Sequence, residues 1–176
     1  MKLLIVSDSH GDRAILEQLV AQFSGQIDGW FHCGDSELPA DDPLWQTFHV
    51  VGGNMDFDPQ YPKKLLIPMG NQRIFLTHGH RYQIKLDLTA LALAAKQEKA
   101  TMVFFGHSHE LGLAQNDGTL FLNPGSVSQP RGEFAKLGGT FAIVSVSGQQ
   151  CQVDFHTRDG QIVSELTTTF TMGDIK

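Results

Sequence analysis

The sequence predicts a mixed α/β fold in which a parallel sheet gives way to antiparallel strands. Three observations carry this reading. Continuous apolar runs of strand length recur, two stretches repeat apolar residues at helical spacing, and turn-forming dipeptides crowd the second half. Several of the runs close on a glycine followed by a polar residue, which marks a strand leaving the sheet for a loop.

Residues 2–8, KLLIVSD, are apolar without alternation, as a strand covered on both faces requires. RAILEQLVAQF at 13–23 then sets Ile15, Leu16, Leu19, Val20 and Phe23 at helical spacing. Asp12 and Arg13 suit the capping turn before it. GWFHCGD at 29–35 and FHVVGGN at 48–54 are two further strands, and the order strand, helix, strand implies parallel pairing. KKLLIPMGNQRIFLTHG at 63–79 is a hairpin turning at Gly70-Asn71, and LDLTALALAAKQEKA at 86–100 is a second helix rich in Ala and Leu. TMVFFGH at 101–107 is another buried strand. Beyond it, turns at Asn116-Asp117-Gly118, Ser147-Gly148 and Asp159-Gly160 separate strands expected to be mostly antiparallel.

Composition narrows the function. The 176 residues, 41% hydrophobic and 18% charged, suffice for one domain with a sizeable core, and no repeat or linker divides them, so residues 1–176 are read as a single domain. Thirteen Lys and Arg against nineteen Asp and Glu give a net charge of −6 without blocks of like charge, which disfavours a nucleic-acid-binding or anionic-membrane surface. The apolar run at 3–6 is too short for a signal-peptide core or a membrane span. Cys33 and Cys151 form no spaced framework, which fits a reducing cytoplasm. A homo-oligomer is compatible with this composition.

The polar residues that follow these strands form a chemical set. They are Asp8 and His10 in SDSH, Asp35 in HCGD, Asn54 in GGNMD, His78 in LTHG, and His107 and His109 in GHSH. In open α/β sheets the carboxyl edge is where ligands bind. All seven are metal-ligand types and none is a cysteine, so a closed structural zinc site is disfavoured and an open catalytic one favoured. Seven ligands exceed what one ion takes. Asp35 can offer one oxygen to each of two ions, and an ion pair roughly 3.5–4 Å apart suits phosphoryl transfer. Two divalent ions against Asp8 and Asp35 leave a charge of about +2, which attracts a phosphate to an acidic protein.

The motifs D-x-H, GD, GN-x-D, HG and GH-x-H occur here in the order found in the calcineurin-like metallophosphoesterases, and the chain resembles their small bacterial and archaeal phosphodiesterase branch. The likeness runs over about residues 1–131, with NPGS at 123–126 and QPR at 129–131 also typical of the branch. It implies a four-layer αββα sandwich of the metallo-dependent phosphatase type. It also implies one ion held by Asp8, His10, Asp35 and His109, and a second by Asp35, Asn54, His78 and His107. The implied activity is hydrolysis of a small phosphate ester or diester by a two-metal-activated hydroxide, supported by Asp35 and Asn54. Manganese is the ion expected first, with iron, zinc, nickel or cobalt as alternatives. Many members carry His at the third position of GN-x-D, as proton donor to the leaving group. Here Met55 stands there, and a thioether donates no proton.

The other polar residues are read more plainly. His32 and His49 lie within apolar runs as core or strand-face residues, His80 as a structural neighbour of His78, and His156 as a surface residue. Asp56 is read as orienting the Asn54 loop. Arg131 is a candidate phosphate-binding residue through its planar fork. A second function class stays open, a non-catalytic interaction scaffold that retains metal.

Overall fold

The structure, a computed structural model, describes residues 1–172. Its strands and helices are β1 (Lys2–Val6), α1 (Arg13–Phe23), β2 (Gly29–His32), β3 (Phe48–Val50), β4 (Lys64–Met69), β5 (Gln72–Thr77), α2 (Thr89–Gln97), β6 (Met102–Phe104), β7 (Leu111–Asn116), β8 (Thr119–Pro124), β9 (Thr140–Ser147), β10 (Gln150–Thr157) and β11 (Thr168–Thr171). They form two sheets, one ordered β11-β10-β9-β1-β2-β3 and the other β4-β5-β6-β8-β7.

Alternation along each strand explains the layering. Leu3 and Ile5 of β1 face Ile74 and Leu76 of β5, Met102 and Phe104 of β6 and Leu120 and Leu122 of β8 in the core between the sheets. Leu4 and Val6 point the other way and meet Ile15, Leu16 and Leu19 of α1. On the far side of the second sheet, Phe75, Val103 and Phe121 pack against Leu91 and Ala95 of α2. The order is helix, sheet, sheet, helix, the four layers that the resemblance implies. Each fully buried Leu, Ile or Phe contributes roughly 1.5–3 kcal/mol. The unbroken apolar runs of β1 and β6 are therefore strands with helix on one face and sheet on the other.

The pairing follows the sequence reading closely. β1, β2 and β3 are parallel, β9, β10 and β11 antiparallel, and β1 joins them through an antiparallel pairing with β9. β4 and β5 form the expected hairpin, with Gly70 at φ 58. Asp12 caps α1 by accepting from the Ile15 amide. α2 is shorter than the expected 86–100 span. It begins at Thr89, whose amide is taken by the Asp87 carboxylate at 2.7 Å, and it gives way at Lys99, which has φ 53.

One expectation is overturned. His156 is buried, not on the surface: it lies opposite Phe141 in the β9–β10 ladder, and its ring stacks on Phe141 at 4.9 Å. Phe23 of α1 covers it edge-on. Its distance in sequence from every motif concealed a position beneath a helix. His32 is fully buried and His49 lies exposed on a strand face, as read.

Candidate metal centre

The carboxyl ends of β1, β2, β3, β5 and β6 open at one edge of the sandwich, and their loops are laced together. The Asp8 amide donates to the Gly34 carbonyl and the His10 amide to the Asp35 carbonyl, so the loop after β1 runs beside the loop after β2. The Gly106 amide donates to the His78 carbonyl in the same way. Asp56 accepts from the amides of Gly53, Ser36 and Glu37, binding the Asn54 loop to the Asp35 loop.

Asp8, His10, Asp35, His107 and His109 all adopt left-handed backbone, with φ of 53, 45, 52, 69 and 63. Each such residue costs roughly 1–3 kcal/mol and persists only where surrounding contacts over-determine it. That five of the seven candidate ligands carry this strain marks the edge as a built site.

Three of the four candidate imidazoles are held by Nδ1. His78 donates to the Cys33 carbonyl at 2.8 Å, His109 to the Gln129 carbonyl at 2.8 Å, and His10 to the Glu37 carboxylate at 2.7 Å. These acceptors fix the tautomers and turn three Nε2 lone pairs toward a common space. His10 Nε2 stands 3.2 Å from His109 Nε2, which in turn stands 3.3 Å from Asp8 Oδ1. Ligand atoms of Asp8, His10, Asp35 and His109 lie within 4.8 Å of one another. A second convergence lies alongside, where His78 Nε2 is 3.2 Å from both Asp35 Oδ2 and Asn54 Oδ1. His107 borders it, its ring centroid 5.2 Å from that of His78.

These atoms are acceptors facing acceptors, which a cation satisfies. Asp8 shows this most plainly. Its Oδ2 receives the Ser7 hydroxyl at 2.5 Å and the His107 amide at 3.2 Å, while its buried Oδ1 has no hydrogen-bond partner. Ligand atoms 2.0–2.2 Å from one ion stand about 3–4 Å apart, which the 3.2 and 3.3 Å separations match. Asp35 belongs to both convergences. The donor set therefore fits divalent metal, with oxygen and imidazole ligands and no thiolate.

Proton affinities follow the same logic. The Asp8 carboxylate raises the His109 pKa. Burial disfavours the charged form of His78, yet its hydrogen bond to Asp35 and the charge of Asp8 outweigh burial and raise the pKa. Burial likewise opposes ionisation of Asp35, but His78 beside it brings the carboxyl down to about 2. His107 goes the other way: burial, then the nearby His78 and Lys85, lower it to about 4.

All seven candidate ligands therefore gather at one edge. Arg131 stands apart from them: its side chain is exposed, and its tie to the centre is the backbone amide, which donates to the His109 carbonyl. The supporting residues escaped the sequence reading. Glu37 orients His10, and Ser126 donates to the Asp8 carbonyl at 2.7 Å while accepting the Ser128 and Gln129 amides. His32 donates to Ser9, between Asp8 and His10, and accepts the Gly34 amide. NPGS was the available signal for Ser126, whereas nothing in an isolated Glu points to a histidine 27 residues away.

The sequence profile of the calcineurin-like phosphoesterase superfamily domain matches residues 1–149. The chain belongs to this superfamily. It is 34% identical over 172 residues to a probable metallophosphoesterase, YsnB, of Bacillus subtilis (strain 168), an alignment covering 98% of this chain and 100% of that one. The crystal structure of a conserved uncharacterized protein and predicted phosphoesterase from Streptococcus pneumoniae TIGR4 superposes with a TM-score of 0.92 at 39% identity, covering 97% of each chain. Vps29 of Entamoeba histolytica complexed with Zn²⁺ shares the fold at a TM-score of 0.73 and 23% identity, over 100% of each chain. Met55, at the third position of the GN-x-D motif of this superfamily member, is 41% exposed, and its amide donates to Asp35 Oδ1 at 2.8 Å.

Proposed function

We propose that this protein is a phosphoesterase that holds two divalent ions and hydrolyses a small phosphate ester, with a preference for diesters. The partnerless Oδ1 of Asp8, buried among three imidazole Nε2 atoms and Asp35, carries this reading. Asp8, His10, Asp35 and His109 would hold one ion, and Asp35, Asn54, His78 and His107 the other. Ions in such a site supply Lewis acidity, lowering the pKa of water and neutralising phosphoryl oxygens. The protein holds His10, His78 and His109 each in one tautomer, keeps Asp35 ionised across the physiological range, and turns the Asn54 amide toward the same space. Manganese is proposed first among the ions. The reading treats the whole chain as one catalytic domain of a reducing cytoplasm, in keeping with two buried free cysteines.

Metal analysis of the purified protein, with turnover of mono- and diester nitrophenyl phosphates before and after chelation, tests this. Two ions per chain and chelator-sensitive turnover are expected. Asp35→Asn should lose metal and lower turnover by several orders of magnitude, since an amide cannot bridge two cations as a carboxylate does. If that variant keeps two ions and near-normal turnover, the bridging role is wrong. A second reading is a non-catalytic scaffold that retains metal, and the zinc complex of Vps29 shows that this fold can hold an ion. Two bound ions without turnover of any ester would select it.

A further inference from the structure

A cleft of about 490 Å³ opens beside the metal centre, within the 300–1,000 Å³ usual for small-molecule sites. Its link to the centre is Ser108, the residue between His107 and His109. One wall is β7, the edge strand of its sheet, and the other is the segment carrying Ile84 and Leu88. Ile84, Leu88, Phe105 and Leu111 give it an apolar part, and Lys85, Ser108, Glu110, Asn123 and Arg131 a polar part of about equal extent.

Gly112 is what opens it. In β7, Leu111 and Leu113 turn to the core between the sheets, so the intervening position faces the α2 side, where glycine leaves space. A Cβ there would meet only the Asn123 Cβ at 3.5 Å, an ordinary contact, so backbone crowding does not require the glycine.

Two cations border the cleft. The charge of Lys85 reaches His107 and that of Arg131 reaches His109, so they flank the GHSH loop. Among the described residues, neither side chain takes part in an ion pair or hydrogen bond, a freedom they share with most lysines and arginines of the chain. The acid at this cleft, Glu110, packs over Gly132. In a chain of net charge −6, two unpaired cations beside a hollow that is part apolar and part polar describe a site for an amphiphilic anion.

We infer that this cleft seats the second arm of a phosphodiester, an apolar ring-bearing alcohol that carries an anionic group of its own. The inference rests on the phosphoesterase reading. With phosphorus at the ions, one ester arm departs, and the other must either lie in solvent or enter the cleft past Ser108. The ring lies against Leu88 and Phe105 in the space that Gly112 leaves, and the anionic group meets Lys85 and Arg131.

Three diesters that all release p-nitrophenol test it, their other arms being methyl, phenyl and 4-carboxyphenyl, with kcat/KM normalised to uncatalysed hydrolysis. Phenyl should exceed methyl by about tenfold or more, as a ring entering an apolar pocket gains. Carboxyphenyl should exceed phenyl by about threefold, the scale of a half-exposed ion pair, at low salt. Gly112→Val should abolish the preference for phenyl over methyl, and Lys85→Ala the preference for carboxyphenyl over phenyl. Turnover with equal normalised kcat/KM for all three esters overturns the inference and leaves the phosphoesterase reading standing. No turnover of any ester overturns both.

Discussion

Gly53 and Asp35 approach more closely than any side chain at position 53 allows: a Cβ there would lie 2.0 Å from Asp35 Oδ1 and 2.6 Å from its amide nitrogen. The glycine of GN-x-D thus fixes where the shared carboxylate sits. Gly53→Ala should displace Asp35, cost about 1–3 kcal/mol of stability through overpacking, and lower metal affinity by more than the thermal shift alone explains. Calorimetric metal titration beside thermal unfolding checks this. Wild-type affinity in the variant would show that Asp35 does not ligate.

Glu37 supports His10 through one hydrogen bond, and Glu37 itself has φ 56. Carboxylates behind metal-binding imidazoles are worth roughly 10–100-fold in affinity. Glu37→Ala should therefore weaken the ion at His10 by about that factor while sparing the ion at His78. Competition against a chelator of known strength would show two affinities moving apart. A parallel loss at both would mean that the ions bind as a unit.

His78 and His109 have raised pKa values, so in metal-free protein their stabilising contribution is complete below about pH 6.5 and fades as pH rises through the raised values. Asp35 has the opposite sign: its contribution is present above the unfolded value and is lost as pH falls toward 2. Metal competes with the histidine protons. The gain in Tm on adding Mn²⁺ should hence be larger at about pH 8 than at about pH 6. A gain independent of pH would place the ion away from these rings.

Met55 supplies no proton, so the leaving oxygen must depart as an anion or take its proton from water. Rate should then depend steeply on the acidity of the leaving alcohol, with nitrophenyl diesters cleaved far better than alkyl ones. Met55→His should help alkyl leaving groups more than aryl ones, within the roughly 10²–10⁴-fold range of general acid catalysis. Turnover across leaving groups of graded pKa at saturating Mn²⁺ checks it. A flat dependence in the wild type would point to another donor, with His80 the first candidate, its ring 5.3 Å from that of His78.

Strands such as β1 and β6 were legible because burial on both faces leaves no room for alternation, and α1 because one face must meet the sheet. The ligands were legible because each stands just past such a run. The supports were not. Glu37, Ser126 and Gln129 act through a carboxylate, a hydroxyl and a carbonyl that any loop contains, and their partners lie 20 to 118 residues away. His156 was misread for the same reason: its burial comes from strand register and from α1, neither of which its own neighbours announce.

The place of β1 in the middle of its sheet sets an order of events at synthesis. Lys2 registers with Ser145 and Asp8 is braced by Ser126, so β1 waits for partners made long after it. At 5–20 residues per second that wait is roughly 10–30 s, during which one edge of β1 remains open to chaperones or to wrong partners. Contacts of such sequence separation also slow refolding from denaturant. The cradle for Asp8 and His109 is therefore completed late, and an ion offered to a nascent chain finds its ligands before it finds their arrangement.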